Sequence, residues 1–176
     1  MKTRLPKFQD IVPVYAIISF IIYGWTFVLF FWKVPSWLDF LTPAEIFGAF
    51  SYGVLTNLVE SMIVILCLLV LCVLLPPRTM RETFAAYGSV IAIIGLGSVM
   101  LYQYQYRAVR LDFASGLKPW AIATVLAILL SVFLTARIKV LKSIILNISD
   151  RMVIFLYIFI PLSIICVLDV VVRNLG

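Results

Sequence analysis

The chain has 176 residues, 64% of them hydrophobic and 12% charged, with no histidine and a formal net charge of +6. A soluble globular domain is excluded, since about 45–50% apolar residues is usual for one, and the mean hydropathy of +1.16 says the same. The missing histidine removes the commonest metal ligand, axial haem ligand and general base, so no metal and no cofactor is expected.

The expected fold class is all-α. It is a polytopic membrane helix bundle forming a single integral membrane domain over 1–176, with five transmembrane helices at about 12–32, 43–75, 80–104, 119–136 and 152–172. Each approaches or exceeds the roughly 20 residues that cross a hydrocarbon core of about 30 Å. Asp10 is placed to cap the first span, and Pro13 falls near its start, where a missing N–H does little harm. The segment 33–36, with Pro35, is read as its end. No small-residue cleavage site follows, so the span is expected to be retained.

Thr42, Pro43, Ala44 and Glu45 form a capping box with proline at the first helical position. The helix they open meets no breaker before Pro76 and Pro77. A helix over 43–75 is about 50 Å long, more than a membrane is thick, so it must tilt or leave its first turns in the interface. Thr79 and Glu82 repeat the capping-box spacing and open the third span. The fourth begins at Pro119 and Trp120. Residues 137–149 put Ile138, Leu141, Ile144, Ile145 and Ile148 on one face, and are expected as an amphipathic cytoplasmic helical segment or a continuation of span four. Ser149 or Asp150 then caps the fifth span, in which Pro161 frees the carbonyl of Tyr157.

Orientation follows from the basic residues. With the N-terminus inside, Lys2, Arg4, Lys7, Arg78, Arg81, Arg137, Lys139, Lys142 and Arg151 are cytoplasmic, against Lys33, Arg107, Arg110, Lys118 and Arg173 outside. This positive-inside excess predicts N-terminus in and C-terminus out. The expected location is the bacterial cytoplasmic (inner) membrane. Basic residues at membrane edges also account for the net charge without nucleic acid as a partner. Cys67, Cys72 and Cys166 all lie in apolar runs, the first two about 140° apart around a helix, and are expected to pack rather than pair.

Glu60 is the residue most in need of an explanation. Residues 62–75 that follow it contain no Asp, Glu, Lys or Arg, and Gly53, Thr56 and Asn57 share its helical face. It lies about 22 Å from the inner end of its span, and a carboxylate within the hydrocarbon costs up to about 2.5–3.5 kcal/mol at the centre. Asp169 stands at a similar depth, about 26 Å up the fifth span, but Arg173 follows it at the favourable four-residue spacing. Arg107 and Arg110, after an aromatic-rich stretch, are placed to meet Glu60 or to grip a lipid phosphate. Asn57, Glu60, Arg107, Arg110 and Asp169 are therefore the candidate binding residues.

Two rows of small residues bear on packing. Ala85, Gly88, Ala92 and Gly95 run down span three, and Ala123, Ala127, Ser131 and Thr135 down span four. Rows of this kind allow close helix approach, and these two are expected to face each other. The leading functional expectation is a non-enzymatic accessory or scaffold subunit, binding a membrane partner or lipid through its outer half. The alternatives are a small oligomeric transporter or ion-coupled carrier using Glu60 and Asp169, and a lipid-phosphate-modifying membrane enzyme. Membrane lipids are the expected partners, with a membrane-protein partner or a homo-oligomer also open.

Overall fold

The computed structural model describes residues 5–74, 83–108 and 113–175, without the side chains of 106–115. Among these residues the structure is all-helical, with five helices: α1 (Phe8–Trp37), α2 (Pro43–Leu74), α3 (Phe84–Ala108), α4 (Phe113–Arg137) and α5 (Lys139–Leu175). All five contain a stretch long and apolar enough to cross a membrane, which marks a helical multi-pass membrane protein.

Several ends differ from those expected. α1 starts at Phe8, before Asp10, and runs through Pro35 to Trp37. A proline so near a helix end removes a single backbone bond, and the Leu38 N–H still closes the last turn on the Val34 carbonyl at 3.1 Å. The capping box forms as read: the Thr42 N–H and hydroxyl both donate to Glu45 Oε2 at 2.8 Å. Pro119 does not begin α4 but lies inside it. Pro76, Pro77, Thr79 and Glu82 fall outside the described residues.

The segment 137–149 is a correction. It is neither a separate amphipathic helix nor an extension of α4. Ile138 alone interrupts the helix, and from Lys139 the chain runs as the first turns of a 37-residue α5. No glycine or proline lies between 139 and 160 to stop it. Ser149, read as a cap, is instead a buried interior residue. Its hydroxyl donates to the Ile145 carbonyl at 2.8 Å and meets Ser89 of α3 at 2.9 Å.

α1 is the centre of the bundle, packed on α2, α3 and α5. One buried cluster joins Val14, Ile17 and Ile18 of α1 to Ile65, Leu68 and Cys72 of α2, with Phe84 and Ala92 of α3. A second joins Tyr23 of α1, Val54 of α2, and Phe159 and Cys166 of α5. There Tyr23 stacks on Phe159 at 4.7 Å between ring centres, and its hydroxyl meets Ser163 at 2.7 Å. α2 and α3 both lie against α1 but barely touch each other. α4 is peripheral, attached mainly to α3, with Thr135 its one buried residue among those described.

The two small-residue rows do not face each other. An added Cβ at Gly88 would lie 3.2 Å from both methyls of Val14, so that face of α3 packs on α1, where Ala92 is also buried. Gly95 is the member that approaches α4, at 3.9 Å from Ile128 Cδ1. Ala85 is half-buried, Ala123 and Ala127 are exposed, and Ser131 is half-buried. The rotation of α4 is set by polar contacts one position away from the alanine row. Trp120 Nε1 donates to Ser98 Oγ at 2.8 Å, and the hydroxyls of Ser98 and Thr124 lie 2.5 Å apart.

Candidate functional site: an acidic cleft between α1, α2 and α3

Between α1, α2 and α3, where α2 and α3 barely approach each other, lies a cleft of about 550 Å³. Its apolar walls include Ile22 and Leu29 from α1, Ile63 and Val64 from α2, and Leu96, Val99 and Met100 from α3. Its polar residues are Trp25 and Thr26 of α1, Thr56, Asn57 and Glu60 of α2, and Gln103 of α3. Gly53 also lines it, and leaves room: a Cβ there would sit at an ordinary 3.7 Å from Thr26 Cγ2.

The local geometry follows from helical spacing. Asn57 and Glu60 are three residues apart and share a face. Asn57 is the deeper of the two, only 3% exposed. Thr26 reaches across from α1 and donates to Asn57 Oδ1 at 2.8 Å, which fixes the amide. Among the described residues its Nδ2 has no partner, and neither has the buried indole N–H of Trp25. An unmade hydrogen bond on a buried donor costs about 1–3 kcal/mol. The Thr56 hydroxyl is occupied by the Tyr52 carbonyl at 2.9 Å.

Glu60 lies at the mouth, exposed, and makes no hydrogen bond or ion pair among the described residues. Charge buried in or near apolar surroundings is normally paired. The Arg107 side chain and Arg110, expected nearby, fall outside the described residues. Further along α2 follows the packed cluster of Val14, Ile18, Ile65, Leu68 and Phe84, and the hydroxyls of Tyr15 and Ser61 meet at 3.3 Å.

Asp169 is elsewhere. It sits on α5, its carboxylate bound by Arg173 Nε at 3.0 Å in the ion pair that the four-residue spacing implies. Arg173 also donates to the Ala44 carbonyl at 2.9 Å and covers Gly48. With Asn174 donating to the Tyr52 hydroxyl at 2.9 Å, it ties the end of α5 to the start of α2.

Three cleft residues escape a reading of the sequence: Trp25, Thr26 and Gln103. Trp25 gave a signal, being far from the helix ends where tryptophan usually marks an interface. Thr26 is a polar residue within a long apolar run. Gln103 is hidden among the aromatics of 102–106. In comparisons with known protein families, curated proteins and solved structures, no match to the chain was found.

Proposed function

We propose that the protein is a non-enzymatic membrane binding subunit that takes an amphiphilic, lipid-like molecule into the cleft between α1, α2 and α3. On this reading the N-terminus is cytoplasmic, the C-terminus lies outside, and the cleft opens in the outer half of a bacterial cytoplasmic membrane. The observation that carries it is the placement of a carboxylate with no partner among the described residues, Glu60, beside the buried amide of Asn57 in a largely apolar cleft.

Three further features support binding over passage or chemistry. α2 and α3 make little backbone approach to each other, which favours sideways entry of a molecule already in the bilayer. A packed apolar cluster follows further along α2, where a transport path would continue with polar groups. Asp169, the second carboxylate that either an ion-coupled carrier or an acid–base enzyme would recruit, is held by Arg173 away from the cleft.

Native mass spectrometry of the protein released from its own membrane in nanodiscs tests the proposal. The wild type should carry a small amphiphile that Gly53→Leu, with its side chain growing into the cleft, does not retain. Bare protein in both samples would refute it, as would identical retention by both.

A further inference from the structure

We infer that α5 is a dimerisation helix. Two copies of the chain pack α5 against α5 about a two-fold axis along the membrane normal, through a polar band formed by Asn147, Asp150 and Arg151. None of the residues lining the cleft belongs to α5, so the two surfaces stand or fall separately.

The outward side of α5 carries a seam at heptad spacing. Val140, Asn147, Ile154, Pro161 and Leu168 succeed one another every seven residues, and all five are exposed. Asn147 interrupts this otherwise apolar seam, and Asp150 and Arg151 flank it, both exposed. The three make no hydrogen bond or ion pair among the described residues. They do not mark the edge of the apolar surface, because Val140 and Ile144 are exposed on one side of them along the helix and Ile154 and Ile158 on the other. Ser149 fixes their depth. It meets Ser89 of α3, whose neighbour Gly88 lies against Val14, and Val14 clusters with Leu68 of α2. Past Leu68, α2 still exposes Val70, Leu71 and Leu74, over about another 9 Å. Charges at such a depth almost always pair or face a partner.

This band is complementary to itself. At about 100° per residue, Asp150 lies roughly 60° to one side of Asn147 and Arg151 roughly 40° to the other, at depths about 1.5 Å apart. A two-fold axis along the normal sets Asn147 against its symmetry mate and turns the acidic flank of each helix towards the basic flank of the other. Two Asp150–Arg151 pairs then form between the copies at one level, as an isologous interface requires. A single amide in an apolar heptad seam can bond its own mate and fix the register. A lipid phosphate would satisfy Arg151 and leave Asp150 alone. A different protein would have to present an acid and a base in the mirrored order at the same depth, which a second copy does by symmetry.

The test uses the full-length chain, labelled at its N-terminus with donor or acceptor fluorophores and diluted in phosphatidylcholine vesicles. Energy transfer should report a dimer for the wild type. Asp150→Arg and Arg151→Asp each set like charges opposite one another twice, and each should weaken association by roughly a hundredfold or more. The two substitutions combined rebuild both pairs with the signs exchanged and should restore the dimer, which a failure to fold would not do. In native membranes, with the three native cysteines replaced by alanine, Asn147→Cys should cross-link to its own copy on oxidation. Leu126→Cys, on the exposed side of α4, should not. A monomeric wild type would overturn the inference, as would a dimer that survives either single reversal or a double variant that stays monomeric. A cross-link from position 147 to a different protein in place of a second copy would assign the seam to that protein and overturn it as well.

Discussion

Replacing Gly88 by leucine should loosen the whole bundle, because α3 presses on α1 at Gly88. An added Cβ would lie 3.2 Å from Val14 Cγ1 and Cγ2 alike, and Val14 is fully buried. Valine is stiff at χ1 within a helix, so it cannot simply turn aside. Alanine at 88 gains up to about 1 kcal/mol of helix propensity over glycine, which offsets the crowding and should leave stability close to wild type. Leucine adds carbons that have no space, and overpacking of this kind costs about 1–3 kcal/mol. At Gly95 the nearest atom to an added Cβ is Ile128 Cδ1 at 3.9 Å, an ordinary contact. Gly95→Ala should therefore be neutral or stabilising by at most about 1 kcal/mol. Reversible unfolding in mixed micelles with increasing sodium dodecyl sulfate, followed by circular dichroism, would rank the variants. Val14→Ala combined with Gly88→Leu should recover part of the loss, a coupling that only direct contact produces. If Gly88→Leu is as stable as wild type, or if Val14→Ala adds its own cost without any recovery, α3 does not pack on α1 through this face.

Asn57→Leu should be tolerated in the same assay, since it removes a buried donor with no partner among the described residues, worth about 1–3 kcal/mol, together with one hydrogen bond from Thr26 worth about 1; a large loss of stability would show that the amide is structural. Tyr23→Phe should cost little, about 0.6 kcal/mol, the usual size of an interhelical hydrogen bond in a membrane, because Ser163 keeps its bond to the Phe159 carbonyl at 2.7 Å; a loss of several kcal/mol would contradict this. Gly48→Leu should free the end of α5, as an added Cβ would already stand 3.1 Å from Arg173 Cζ; faster hydrogen exchange near the α5 C-terminus, absent in Gly24→Ala where space is open, is the expected signature. Thr42→Ala should weaken the first turn of α2 by about 1 kcal/mol, read as faster exchange of the amides of Glu45 and Ile46; unchanged exchange would mean the capping box carries no weight.

Much of the fold is legible along the chain because the bilayer imposes a strong, one-dimensional constraint. Five apolar stretches of sufficient length must be helices, since no other open structure satisfies its backbone in hydrocarbon. Local chemistry is equally legible: the Thr42–Glu45 box and the Asp169–Arg173 pair depend only on positions three or four apart. Helix ends read less well. Pro35 and Pro119 each suggested a boundary, yet both lie inside helices, because a proline near an end sacrifices a single bond that the turn can spare. Residues 137–149 looked amphipathic in isolation, but Ser149 finds its partner on α3, sixty residues away, and the helix stays continuous around it.

The sequence by itself determined that this is a multi-pass helical chain, and that Glu60 shares a face with Gly53, Thr56 and Asn57, because hydropathy and helical period act along the chain. Which helices touch was decided by the tertiary structure alone. In an apolar solvent, apolar side chains gain little from facing inward, so hydropathy does not say which face of a helix meets which neighbour. That choice falls to close packing and a few hydroxyls, such as Gly88 against Val14 and Ser98 between Trp120 and Thr124. Their placement seats α3 on α1 and α4 on α3, and the cleft beside them brings Trp25, Thr26 and Gln103 together with Glu60.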